Sequence, residues 1–559
     1  NNDYVFVLGA SDGSSVGNLT IESGVYTGTT TVASVTKGLL KINGGEFKVN
    51  DSEYGATYMI NCIDANYNDD SANVEIYGGK FYGFNPEDNV AEGANTNFCA
   101  QGYAANEIET GVYEVVAGNV LNETKNIKYA TLAEAIAAAD PGNTIKLLAD
   151  ITENVTVDKK LTIDGDGHNS TGLISTNKNV TYTFKNFNID GANSYFVKVT
   201  GGGGNYVFDN CNIKNSWGLI YTNKSTNTVS VKNSIVDNCE YGVAHFTALN
   251  SATLENVTVQ NSARGLMVQN QAAKTIKFVG CNISATEPVY IWDKGTYIIT
   301  LNFEGENTFD GELGVSTTTY GKLVLTTADA TLTAKEGLNV ESGVDDLEVI
   351  YKNGCYSLYG LSGSGAEEDP FLIYNLEDLK FFRDHVNAGK DTYNAEGVHV
   401  ALAANIDMAT EDWSVNIGDD CNNTFDGIFD GKGFTISNLN STETAQKDDG
   451  YVCTGLFGAI YCNAVIKNLT IENVNINTGE FTGNNVAAVV GFVYGVSGKT
   501  VTIDGVKVTG DINIDASGVY GVGAIVGYSY NQGTLNIKNC AVEANDESAI
   551  TAVSGSGAI

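Results

Sequence analysis

Five short apolar segments recur on a nearly constant beat: FKNFNI (184–189), FDNCNI (208–213), VKNSIV (231–236), LENVTV (254–259) and FVGCNI (278–283), beginning 24, 23, 23 and 24 residues apart. Each alternates apolar and polar residues as a half-buried strand does. One strand pattern per fixed period in this range is the mark of a solenoid, in which every repeat buries its apolar face against the next. Leucine-rich and ankyrin arrays have neighbouring periods but need a Leu/Asn consensus or paired helices, and neither occurs.

The spacing predicts an all-β fold, a right-handed parallel β-helix with turns of roughly 22–24 residues and equivalent positions stacked roughly 4.8 Å apart. The third position of the repeat reads Asn186, Asn210, Asn233 and Asn256, then Gly280. A file of side-chain amides at a bend, each bonding the one above and below, would satisfy buried polar groups along the axis as a structural ladder. The plainer reading is that Asn favours turns. A second file follows the same beat: Trp217-Gly218, Tyr241-Gly242, Arg264-Gly265 and Glu287-Pro288, each expected to end a turn with its first residue pointing outward. Trp217, Tyr241, Arg264 and Glu287 are the candidate binding residues, because aromatic faces cover the C–H surfaces of sugars while hydroxyls stay hydrated. The alternative is that they only stack on one another and support the ladder.

Solenoid patterns occupy three stretches, which divide the chain into 1–120, 121–360 and 361–559. The first repeats a strand and a glycine turn at 19–24, 40–45 and 74–79, with Phe47 and Phe81 two residues beyond the last two turns. The second opens with YATLAEAIAAADPGNTIKLL (129–148), which predicts a helix over Thr131–Ala139 stopped by Pro141-Gly142. The third opens with a predicted helix over Leu376–Val386; both helices are suited to plug an open solenoid end. In this third stretch the period lengthens around Gly458, Gly491 and Gly527. Gly557-Ala-Ile559 repeats Gly523-Ala-Ile525, so the chain is expected to stop in mid-repeat and the natural protein to continue.

On these motifs, residues 129–310 resemble the pectin-lyase-like right-handed β-helix superfamily, in the form met in large surface proteins, where an ATLAEAIAAA helix precedes TIKLLADITENVTVDKKLTIDGDGH. Residues 366–559 resemble surface proteins with the GLUG motif, through FDGIFDGKGFTISNL, GLFGAI, IKNLTIENV, VVGF and IVGY. The string GGKFYGFNPEDN is similar to solenoid segments of the same proteins and of phage fibres. The resemblance implies surface exposure, as in a bacterial adhesin or a phage tail or head fibre, and three chains side by side in the manner of phage spikes is an arrangement it leaves open.

The superfamily also contains polysaccharide lyases and hydrolases. The lyases use Ca²⁺ on clustered acids with an Arg or Lys base, whereas Arg264 has Trp217, Tyr241 and Glu287 in its file, which is no calcium cluster. The Gly-His-Gly and Arg-Ile-Lys elements of polygalacturonases are missing. His168, in IDGDGH, is the most suggestive single residue; His245, His385 and His399 stand alone. The doublets Asp69-Asp70, Asp345-Asp346, Asp419-Asp420 and Asp448-Asp449 read as solvated turns, with a structural Ca²⁺ the one cofactor left open. Gly201–Gly204 has neither a following helix nor a P-loop Lys.

Composition narrows the partners. Against 67 Asp and Glu stand 31 Lys and Arg, a net charge of −36, which repels nucleic acid and anionic polysaccharides. No apolar run reaches the ~18 residues of a membrane span. Ten Cys in 559 residues are too sparse for a disulfide scaffold, although Cys453 and Cys462 could pair across a turn. The expected function is a noncatalytic extracellular stalk or adhesive rod that binds a glycan or protein receptor on a cell surface; the alternatives are a β-helix polysaccharide lyase or hydrolase, and a filament subunit.

Overall fold

The computed structural model describes residues 4–10, 12, 14–50, 55–89, 96–311, 317–419, 423–442, 453–478, 485–519 and 521–552. The chain forms two compact units, Asn1–Leu358 and Tyr359–Ile559. In the first, the alternating segments pair in parallel on the beat of the sequence: Phe184, Phe208, Val231, Leu254, Phe278, Phe303 and Leu325 are successive register partners in a 12-stranded sheet. All point into the coil and are essentially fully buried. Phe184 stacks on Phe208 at 5.3 Å between ring centroids, and Phe278 on Phe303 at 5.4 Å.

Each coil then turns a corner into a short strand, such as Asn188–Asp190, Asn212–Lys214 and Ile235–Asp237, whose Ile189, Ile213 and Val236 continue the apolar interior. A second corner leads to further strands of the same 14-stranded sheet, where Val197 pairs with Ile220 and Ile220 with Ala244. The unit is a parallel β-helix.

The corners explain the Asn file. Asn186, Asn210, Asn233 and Asn256 have φ of 56°, 53°, 50° and 51°, the left-handed region in which Asn is several-fold enriched among residues with a Cβ. Asn215, Asn238 and Asn261 do the same at the next corner. The four residues are piled as expected, but two features differ. They are exposed or half-buried instead of buried, and the amide chain is interrupted: Asn210 donates to Asn186 at 3.0 Å and Asn256 to Asn233 at 2.9 Å, whereas Asn233 donates to Asp209 at 2.9 Å and Asn186 to Asp164 at 3.0 Å. Backbone conformation selects Asn here, and the ladder follows from it. The residue before each corner alternates in charge through register partners Lys146, Asp164, Lys185, Asp209, Lys232 and Glu255, with Lys185 2.9 Å from Asp164. Opposite charges directly across from each other favour this register over a slipped one.

Nearer the N-terminus Leu19, Leu40 and Val74 are parallel partners, and Phe47 stacks on Phe81 at 4.8 Å over a separate buried cluster. The helix Leu132–Ala138 is capped by Thr131, whose hydroxyl accepts from Glu134 N while the Glu134 carboxylate accepts from Thr131 N; it buries Leu132, Ala135 and Ile136.

In the second unit the strand Phe371–Ile373 leads into the helix Leu376–Asn387, capped by Asn375, and the parallel sheets have six, six, three and three strands. The charge alternation returns as Asp430, Lys467, Asp504 and Lys538, successive partners before corners at Asn468, Gly505 and Asn539 whose φ is positive. No disulfide joins Cys453 to Cys462. Asp420, Asp448-Asp449 and Gly557–Ile559 lie outside the described residues.

Candidate binding surface

The first unit brings all four candidate residues into one outward file. Tyr241 N donates to Trp217 O at 2.8 Å, and Arg264 is the register partner of Glu287. Trp217 is 46% exposed and meets the Tyr241 ring edge to face at 6.4 Å. The Arg264 guanidinium carbon sits 5.7 Å from the Tyr241 centroid and 4.8 Å from that of Tyr290, and its Nε lies 3.2 Å from Glu287 Oε2. The only Arg of this unit is therefore neutralised by a carboxylate and laid between two phenol rings. The expected turns at 264–265 and 287–288 are instead interior to continuous strands, Thr258–Gln269 and Asn282–Trp292.

A second file lies beside the first: Tyr221, His245, Met267 and Tyr290 are register partners on the same sheet. Tyr195 ties the files together, edge to face with Trp217 at 5.6 Å and with its hydroxyl 2.8 Å from His245 Nδ1. His245 stacks on Tyr241 at 5.1 Å, and its buried Nε2 has no hydrogen-bond partner. Burial and, secondarily, the Arg264 charge push its imidazole down to about 4, so it is neutral at physiological pH. Burial raises the Tyr195 phenol, which stays protonated. Trp292 carries Lys294 Nζ 4.2 Å from its ring.

The arrangement is a shallow aromatic surface in which Arg264 is paired with Glu287, with Lys294 over Trp292 at one side and the exposed Lys198 as register partner of Tyr221. Sequence reading missed Tyr195, Tyr221, Tyr290 and Trp292, and His245, read there as standing alone, sits among them. Tyr221 and His245 stand 24 residues apart, the beat of the repeat, four residues beyond Trp217 and Tyr241, so the signal was present one step along each strand.

The remaining candidates are dispersed. His168 Nδ1 lies 3.3 Å from Asp150 Oδ1 at an open groove lined by Asn169, Asn188, Asp190, Asn212 and Lys214. His385 is buried in its helix with Nδ1 3.0 Å from Phe381 O, and His399 begins a strand. Gly201–Gly204 is a loop whose last amide donates to Asn227 Oδ1, followed by the strand Asn205–Asp209. Among the described residues no group of three or more His, Cys, Asp or Glu side chains is placed to hold a metal ion, and no helix is long and apolar enough to cross a membrane.

The chain is 29% identical over 255 residues to halomucin of Haloquadratum walsbyi (strain DSM 16790 / HBSQ001), a match that covers 44% of this chain and spans 2% of halomucin's length. No solved structure matches. Residues 152–334 match the family model described as a right handed beta helix region, and this stretch, with its parallel coils and stacked corners, is a right-handed parallel β-helix.

Proposed function

We propose that this chain is a noncatalytic segment of an extracellular adhesive or structural stalk that binds a neutral glycan on a cell surface through the aromatic file of its first unit. The observation that carries this reading is Trp217, nearly half exposed at the head of a file in which Arg264 is neutralised by Glu287. An indole face beside phenols binds the C–H faces of sugars, and pairing of the cation removes the pull on anionic ones. The net charge of −36 acts in the same direction and keeps the coils from joining edge to edge. The extracellular setting is supported by the likeness to halomucin, a protein named as a mucin. A surface adhesin or a phage fibre would use such a segment alike.

The test is retardation of the full chain by soluble polysaccharides in native gels. Neutral mannan, xyloglucan or hydroxyethyl cellulose is expected to retard it, and Trp217→Ala with Tyr241→Ala to weaken retardation about tenfold. Release of new reducing ends or unsaturated products, abolished by substitution at Arg264 or His168, would establish the lyase or hydrolase reading in its place.

A further inference from the structure

The second unit carries an aromatic face of its own. Strands Phe457–Tyr461, Val490–Gly495 and Val526–Asn531 pair in parallel, with Tyr461, Tyr494 and Tyr530 in one register file and Ala459, Phe492 and Tyr528 in the next. The intervening Ile460 and Val493 are buried and the rings on either side of them are not, so the rings point out of the coil, while Ala459 is covered. Ring centroids along the first file are 5.4 and 5.7 Å apart, and Phe492 lies parallel to Tyr528 at 6.0 Å. Tyr494, Tyr528 and Tyr530 are 37%, 48% and 47% exposed. Tyr528 and Tyr530 lie on the last strand of this sheet, whereas Tyr494 has a ring on either side and is still open to water.

We propose that this face is a second glycan-binding platform, taking a neutral polysaccharide along the direction of the coils. Three features fix the class of occupant. No residue of either file is charged, on a chain whose net charge is −36, so neither polyanion nor polycation is matched. Four of the five rings are phenols and no exposed aliphatic side chain joins them, a composition suited to a hydroxylated ligand and poorer for a protein partner, whose buried core wants aliphatic surface as well. Beside Tyr461, Lys499 and Glu396 are closed on each other at 2.7 Å and Asn463 donates to the same carboxylate at 2.7 Å, while the nearby Asp426 carboxyl is half-buried and pushed above its ordinary value by that burial. The files are also as straight as the register that builds them, and the ring spacing is close to one pyranose unit of an extended chain. An oligosaccharide lying across the coils would cover rings on successive strands. Two platforms in one chain make binding to a long polymer multivalent, which raises avidity without any new contact where one strand of glycan reaches both.

The experiment uses the full chain with Tyr494→Ala and Tyr530→Ala together, and with both changed to Phe, in native gels containing mannan, xyloglucan or hydroxyethyl cellulose, with alginate as the anionic probe. These side chains are exposed, and an unchanged far-UV spectrum and melting profile verify the fold. The alanine pair is expected to lose about tenfold in retardation by a neutral polysaccharide while Trp217→Ala retains the contribution of this face; the Phe pair keeps most of the binding, because the rings remain. Alginate is expected to give no retardation. The proposal is overturned if the alanine pair is retarded as strongly as the unsubstituted protein, if no neutral polysaccharide retards the unsubstituted protein, or if the alanine pair instead abolishes self-association in sedimentation, which would make the face a contact between copies. Loss of binding on Trp217→Ala alone, with the tyrosine pair silent, would sink this platform and leave that of the first unit standing.

Discussion

Asn233 passes by Asn210, its neighbour in the file, and donates its side-chain amide to Asp209 Oδ1 at 2.9 Å. Its own carbonyl oxygen then accepts from Asn256 at 2.9 Å. The hydrogen-bond partner thus changes from coil to coil while the backbone does not, since all four Asn keep φ between 50° and 56°. The corner is a conformational requirement first and an amide ladder second. In the next coil Gly280 takes the position with φ 61° and no side chain to donate.

That ordering predicts the cost of substitution at Asn233. Alanine would lose the bonds to Asp209 and from Asn256 and hold a Cβ in the left-handed region, for a destabilisation of about 2–3 kcal/mol. Glycine would lose the two bonds alone and cost about half as much. Urea unfolding of the two variants against the unsubstituted chain measures the difference; equal losses would show that the hydrogen bond, and not the backbone, holds the corner.

His245 gives a pH dependence with a defined window. Its unfolded-state pKa is ordinary, roughly 6.5, while in the fold burial and Arg264 bring it to about 4. As pH falls through 6.5 the unfolded chain takes up a proton that the folded chain refuses, so stability is full above that value and declines down to about 4, where the folded imidazole protonates as well. A loss on the order of 1–3 kcal/mol across this interval is expected, and His245→Gln should flatten it. The carboxylates act separately. Asp190 is held below its ordinary value by bonds from Asn215 and Lys214, and Asp504 by bonds from Asn539 and Lys538; their contribution is present above the unfolded carboxylate pKa and is lost as pH falls below about 4. Unfolding midpoints at half-unit pH steps separate the two windows.

The coil was legible in the sequence because its period is a local property repeated many times: the partners Phe184, Phe208, Val231, Leu254 and Phe278 are the residues that alignment of the segments places together. The outward file from Trp217 to Glu287 was legible for the same reason. What was hidden depends on contacts that the beat does not encode. Tyr195 reaches His245 across 50 residues, skipping a coil, so no single repeat step joins them. The tyrosines of the second unit recur after 33 and then 36 residues, from 461 to 494 to 530, because loops between the coils differ in length. Two observed strands replaced expected turns at Arg264 and Glu287, since Gly265 and Pro288 sit where neighbouring backbones approach closely and not where the chain reverses.

Gly242 and Gly280 test that close approach against each other, because both have φ 61°. A Cβ on Gly280 would meet nothing within 4 Å, whereas one on Gly242 would stand 2.1 Å from Gly265 O and 2.3 Å from Arg264 O, both backbone atoms of the next coil. Gly280→Ala should therefore cost only the left-handed backbone, about 1 kcal/mol. Gly242→Ala adds a clash that side-chain movement cannot relieve, so the coils must part, and a loss of about 3 kcal/mol or more is expected. The displaced segment carries Tyr241 and faces Arg264, so the file that begins at Trp217 should lose its continuity even though none of its side chains has changed. Denaturation of both variants, read with glycan retardation of the folded fraction, checks the argument: comparable stabilities would mean that the coils do not press together at Gly242, and the register of the aromatic file would then rest on its side chains alone.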